Sequence, residues 1–154
     1  MALPAFDIQL RRESDGVTRL YDPLRRKWLV ATPEEWVRQH FVNYLVSHLG
    51  FPASFIANET GIKFNGMQRR CDTVIYNRNL RPLCIVEYKR PAVAVTPAVF
   101  DQIARYNSVL EAPFLIVSNG MTHYCCRFRD GGYEFLHSIP SYEEMCVTFD
   151  GKKR

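Results

Sequence analysis

The chain has no apolar run approaching the ~20 residues a membrane-spanning helix needs, so no helical span is expected. Met1 to Leu10 has neither the basic start nor the continuous apolar stretch of a secretory leader. Cysteines are few and odd in number, at positions 71, 84, 125, 126 and 146, with no CxxC pair. His123 with Cys125 and Cys126 comes nearest to a zinc site. Adjacent cysteines chelate poorly, however, and no second pair exists. Free thiols in a reducing cytoplasm are the expectation. There is no Gly-x-x-x-x-Gly-Lys-(Ser/Thr) loop, which excludes an ATP site and an ATP-driven motor in this chain. Internal repeats and low-complexity tracts are also missing.

What is present suits one globular domain spanning residues 1–154. The 154 residues are 47% hydrophobic and 23% charged, enough to bury a proper core. The net charge is +4, with basic residues gathered at Arg11-Arg12, Arg25-Arg26-Lys27, Arg69-Arg70, Lys89-Arg90 and Lys152-Lys153-Arg154. Such clusters suit phosphate contact and are also what a solvated surface carries. Arg69-Arg70 stands apart because it immediately precedes Asp72. The C-terminal Lys-Lys-Arg reads as a frayed tail.

The chemistry concentrates in two short runs, Cys71 to Tyr76 and Leu83 to Lys89, both rich in branched and aromatic residues. Asn77 to Pro82 between them has turn composition, so the pair predicts an antiparallel hairpin. Alternation puts Glu87 and Lys89 on one face and Tyr88 on the other. If the pairing sets Asp72 opposite that face, two carboxylates and an ammonium converge. A hard divalent cation such as Mg²⁺ or Mn²⁺ takes one or two carboxylates plus waters and substrate phosphate. The competing reading is a solvated strand end, and on these three residues alone it is the stronger one.

The following segments shift that balance. After a connection from Pro91 to Pro97, Ala98 to Leu110 reads as a helix with Val99, Ile103, Tyr106 and Leu110 as its apolar stripe. Gln102 and Tyr106, four apart, are neighbours on that helix. Thr32-Pro33-Glu34-Glu35 is a capping box opening a helix of about seventeen residues that ends at Gly50. Residues 54–58 and 61–64 form a first strand with a bend near Gly61. Residues 114–120 form a buried strand, and residues 124–128 and 133–137 a C-terminal hairpin across 124–137. An N-terminal hairpin is expected across 6–21, from Phe6–Leu10 and Val17–Tyr21. Local pattern alone supports a mixed α/β, three-layer protein.

Asp72, a fifteen-residue interval and Glu87-x-Lys89 resemble the signature of the PD-(D/E)xK nuclease superfamily. Cys71 stands where that signature usually has proline. The Gln102-x-x-x-Tyr106 pair resembles its RecB-like and type I restriction branches, where such a pair supports the active site or touches the DNA backbone. Taken with the stretches 32–40, 69–72, 86–91, 100–107 and 115–120, the chain is similar to the N-terminal nuclease domain of type I restriction enzyme R subunits, in a stand-alone version, over roughly residues 20 to 140. The resemblance implies a restriction-endonuclease-like core at about 32–126 (helix, three strands, helix, strand) with added hairpins at both ends. It implies a Mg²⁺- or Mn²⁺-dependent deoxyribonuclease, with Asp72, Glu87 and the Tyr88 carbonyl on the metal and Lys89 orienting water. Gln102 would assist, and Glu35 or Glu34 would supply a third acid, although Glu35 competes as the capping partner of Thr32. Arg69, Arg70, Arg90 and Tyr106 are the expected DNA contacts, and a separate motor or specificity protein is a possible partner. The alternative is a non-catalytic nucleic-acid-binding or protein-interaction module on the same fold.

Overall fold

A computed structural model describes residues 2–151. Two sheets and three helices make a mixed α/β protein. No described helix is long and apolar enough to cross a membrane. The expected tail Lys152-Lys153-Arg154 lies outside the described residues.

The N-terminal region differs from expectation. The expected hairpin forms with a shorter first strand and gains a third, antiparallel strand: β1 (Leu10–Arg12), β2 (Thr18–Asp22) and β3 (Lys27–Val30). The third strand is held by the turn after Asp22, whose Oδ1 accepts from the Leu24 N–H at 2.8 Å. Leu20 of β2 is fully buried.

Helix α1 (Pro33–Asn43) starts as its sequence dictates. The Thr32 hydroxyl accepts from the Glu35 N–H at 3.1 Å, and proline fills the first turn. The reciprocal half of the expected capping box does not form, because the Glu35 carboxylate is engaged by arginines described below. The helix loosens into a π-helical turn at Tyr44–His48 and stops at Gly50, whose φ of +74° suits glycine.

The main sheet follows chain order: β4 (Ile56–Phe64), β5 (Met67–Tyr76), β6 (Pro82–Tyr88), β7 (Phe114–Ser118), β8 (His123–Arg129) and β9 (Gly132–Leu136). Every neighbouring pair is antiparallel except β6–β7, which is parallel and joined through α2 (Pro97–Ser108). The expected bend in the first strand falls at Glu59, with φ of +51°, rather than at Gly61, which stays paired with Arg70. Alternation along the central strands splits the core in two. Cys84, Val86, Tyr88, Phe114 and Ile116 pack with Val37, Phe41 and Leu45 of α1. Ile85, Leu115 and Val117 pack with Phe100 and Ala104 of α2.

Two further corrections concern helices. The buried face of α2 is Phe100, Ala104 and Asn107, followed by Leu110, and Tyr106 is 53% exposed instead of in the stripe. A third helix, α3 (Tyr142–Gly151), is additional to the expected elements; it packs near β6 and buries Tyr142, Met145 and Cys146 in the core shared with α1.

Candidate active site

The paired rungs between β5 and β6 reach Thr73 opposite Val86, and there the strands part. One residue further, a side chain takes over from the backbone ladder: Asp72 Oδ2 accepts from the Tyr88 N–H at 2.9 Å. That bond holds Asp72 beside Glu87, and the two carboxyl groups are in hydrogen-bonding contact. Burial first, then the neighbouring Asp72 charge and the hydrogen bond with it, pushes the Glu87 carboxyl up to about 8. Lys89 and the side chain of Asn107 act in the opposite direction on it.

Each neighbour is fixed from behind. On the opposite face, the Tyr88 hydroxyl donates to Thr73 Oγ1 at 2.9 Å, and the Thr73 hydroxyl donates to Asn58 Oδ1 at 2.8 Å. The Lys89 N–H donates to the Ser118 carbonyl at 2.9 Å, so the residue after β6 stays clamped to the end of β7. Asp72, Glu87, Tyr88 and Lys89 line one cleft of about 550 Å³ together with Arg25, Glu35, Arg38 and Glu59. Lys27, Leu29 and Val30 of the N-terminal sheet also line it.

The cleft also holds an ion-pair network with no signal in local sequence. Arg25 pairs with Asp22 and donates through Nη2 to both oxygens of Glu35 at 2.9 Å. Arg38, nearly buried on α1, lies 3.3 Å from Glu35, donates to Glu59 at 3.1 Å and to the Asp72 carbonyl at 2.8 Å. Glu35 also accepts from Gln39 at 3.1 Å. Glu35 therefore faces the cleft as expected of a third acid, but as the anion shared by two arginines. Glu34 lines the same cleft as an exposed residue.

The remaining expected residues are less convergent. Gln102 is exposed on α2, while Asn107, five residues on, is buried and donates to the Ile103 carbonyl at 2.9 Å. The Arg69 guanidinium lies 3.6 Å above the Tyr106 ring and donates to the Tyr106 carbonyl, clasping β5 to α2. Arg70 pairs with Glu59 at 2.8 Å on an exposed surface. Arg90 is exposed and has no ion pair among the described residues. Asn107, Arg25 and Arg38 carry no sequence motif that singles them out. The one available hint is a polar residue at 107, in step with Phe100 and Ala104 on the helix.

Chemically, two contacting carboxylates repel unless a proton or a cation lies between them. The upward push on the Glu87 carboxyl favours the first, and the donor set suits the second. Among the described residues no group of three or more His, Cys, Asp or Glu is arranged to hold an ion. An ion here would rest on two carboxylates and complete its shell with carbonyl, water and phosphate oxygens, which is how Mg²⁺ is usually held.

A two-sheet α/β protein with paired carboxylates at a strand fork falls in the class of nuclease-related domains. The type I restriction enzyme R protein N terminus family matches residues 33–140, and the chain belongs to that family. A comparison with curated proteins finds no match.

Proposed function

We propose that this protein is a divalent-metal-dependent deoxyribonuclease of the PD-(D/E)xK type, built on a restriction-endonuclease-like core. The observation that carries the reading is the contact between the Asp72 and Glu87 carboxyls where β5 and β6 part. Asp72, Glu87 and the Tyr88 carbonyl would hold Mg²⁺ or Mn²⁺. When bound, such an ion polarises a phosphoryl oxygen and lowers the pKa of a coordinated water.

The chain's own residues do the rest. Lys89, clamped through its backbone to β7, presents its ammonium to the attacking water and screens the charge of Glu87. Arg90, Arg70 and Arg69 supply phosphate contacts that hold the DNA backbone along the cleft without reading bases. DNA is the partner this chemistry requires, and a separate motor or specificity protein would supply translocation or targeting. Five buried free thiols fit a reducing, cytoplasmic setting.

The test is metal binding read beside cleavage. Wild type titrated with Mn²⁺ to about a hundred times the dissociation constant gains about 2.7 kcal/mol of stability, and Asp72→Ala loses that gain. Plasmid nicking in Mn²⁺ follows the same pattern and stops with chelator. DNA binding without a metal-dependent shift or cleavage would instead identify a non-catalytic nucleic-acid-binding module.

A further inference from the structure

Strand β5 pairs with β4 on one side and β6 on the other, yet neither pairing includes Asp72. Toward β4 the rungs run to Asn58↔Thr73 and resume at Thr60↔Cys71; toward β6 they end at Thr73↔Val86. Glu59, which would stand opposite Asp72, has a φ of +51°, a conformation a glutamate keeps only where its surroundings impose it. Side chains take the place of the lost rung. Arg38 of α1 donates through Nη1 to the Asp72 carbonyl at 2.8 Å and through Nη2 to Glu59 Oε1 at 3.1 Å. One guanidinium thus spans the gap between β4 and β5. It is nearly buried, at 4% exposure, with Nε 3.3 Å from Glu35.

A buried arginine needs its charge compensated, and Glu35 and Glu59 already do that. Charge balance therefore does not explain why Nη1 is spent on the neutral carbonyl of Asp72. That carbonyl belongs to the residue whose carboxylate sits at the fork of β5 and β6, held there by the Tyr88 N–H. Fixing the peptide from one side and the carboxylate from the other leaves Asp72 a single orientation. A planar fork reaches the carbonyl and Glu59 at once, which the point charge of a lysine does not. Hydrogen bonds behind a metal ligand commonly set its orientation in this way. We propose that Arg38 is a positioning residue for the metal site, its guanidinium replacing the missing β4–β5 rung and fixing the backbone that carries the Asp72 carboxylate. The proposal rests on reading Asp72 as a metal ligand.

The measurement is Mn²⁺ affinity of the whole chain, read as the free-ion signal in electron paramagnetic resonance, alongside the thermal midpoint without metal. Arg25 supplies the control, because it shares Glu35 and Glu59 with Arg38 while its hydrogen bonds go to Asp22 and Glu35. Arg38→Lys should weaken Mn²⁺ binding by about 10- to 100-fold. Arg25→Lys should lower the midpoint and leave the affinity unchanged. If Arg38→Lys does not fold, Arg38→Met with Glu35→Gln removes the buried charges together and is compared with Glu35→Gln alone. Affinity equal to that of wild type, or in the double variant to that of Glu35→Gln, overturns the proposal and leaves the metal site standing. Equal weakening by Arg25→Lys also overturns it, since loosening of the ion-pair network would then suffice. Wild type that binds no Mn²⁺, or binding indifferent to Asp72→Asn, removes the ligand reading itself and the proposal with it.

Discussion

Glu87 is where opposing forces in the cleft are most evenly matched. Burial and Asp72 push its carboxyl up to about 8, so at neutral pH the metal-free protein keeps it largely protonated. The folded value lies above the ordinary 4.5, so the folded state holds a proton the unfolded chain has released. Stability tied to this group is therefore complete below pH 4.5 and is lost as pH rises through 8. The thermal midpoint of metal-free protein should fall across that window. Asp72→Asn, which removes the like charge, should flatten the fall, and saturating Mn²⁺ should flatten it in wild type. A midpoint that rises steadily over the window would contradict this assignment. Lys89 offers a second test at the same scale. Its backbone is fixed to Ser118, so Lys89→Ala should leave the strand end in place. Cleavage should be abolished while DNA affinity in Ca²⁺ stays close to wild type; an equal loss of both would make Lys89 a phosphate anchor.

Among the elements, charges help join the N-terminal sheet to α1, beside the packing of Leu24 on the core. Arg25, after β2, is bound between Asp22 and Glu35, and Glu35 is shared with the nearly buried Arg38. Breaking a buried pair from one side leaves a charge without compensation. Glu35→Gln should therefore lower unfolding stability by about 3 kcal/mol, measured by urea denaturation, with activity falling in step. Full stability with activity abolished would restore Glu35 as a catalytic acid. None of this network is legible locally, because Arg25, Glu35, Arg38 and Glu59 meet only after the sheet and helix dock. The motif strands are legible: 71–76, 83–89 and 114–118 are apolar runs whose identity does not depend on register. On α2 the apolar sequence stripe of Val99, Ile103 and Tyr106 runs one residue out of step with the buried Phe100, Ala104 and Asn107, which hides Asn107. Helix α3 does leave a sequence signal, a capping box at Ser141 followed three residues later by Glu144. Ser141 Oγ accepts from the Glu144 N–H, Glu144 accepts from the Ser141 N–H, and Tyr142, Met145 and Cys146 share one face.

At the scale of the whole molecule, the question is how a chain of only +4 holds a polyanion against its own paired carboxylates. The expected phosphate contacts differ in how free they are. Arg69 is stacked on Tyr106 and bonded to its carbonyl, and Arg70 pairs with Glu59. Exposed pairs of the Arg70 kind are worth about 0–1 kcal/mol, so a phosphate can displace Glu59. Arg90, next to Lys89 and exposed, needs no such exchange. Affinity for duplex DNA should be measured across a salt series in Ca²⁺, which prevents cleavage. Removing one cation that neutralises a phosphate should make the slope of log affinity against log salt shallower by about 0.9. Arg90→Ala should show that full change. Arg70→Ala should show the same change in slope with a smaller drop in affinity, because part of its attraction to phosphate is offset by leaving Glu59. Arg69→Ala should lower the thermal midpoint as well, since it also unclasps β5 from α2. A wild-type slope retained by Arg90→Ala would take that residue out of the DNA path. Salt-independent binding by every variant would mean that the cleft holds no DNA backbone at all.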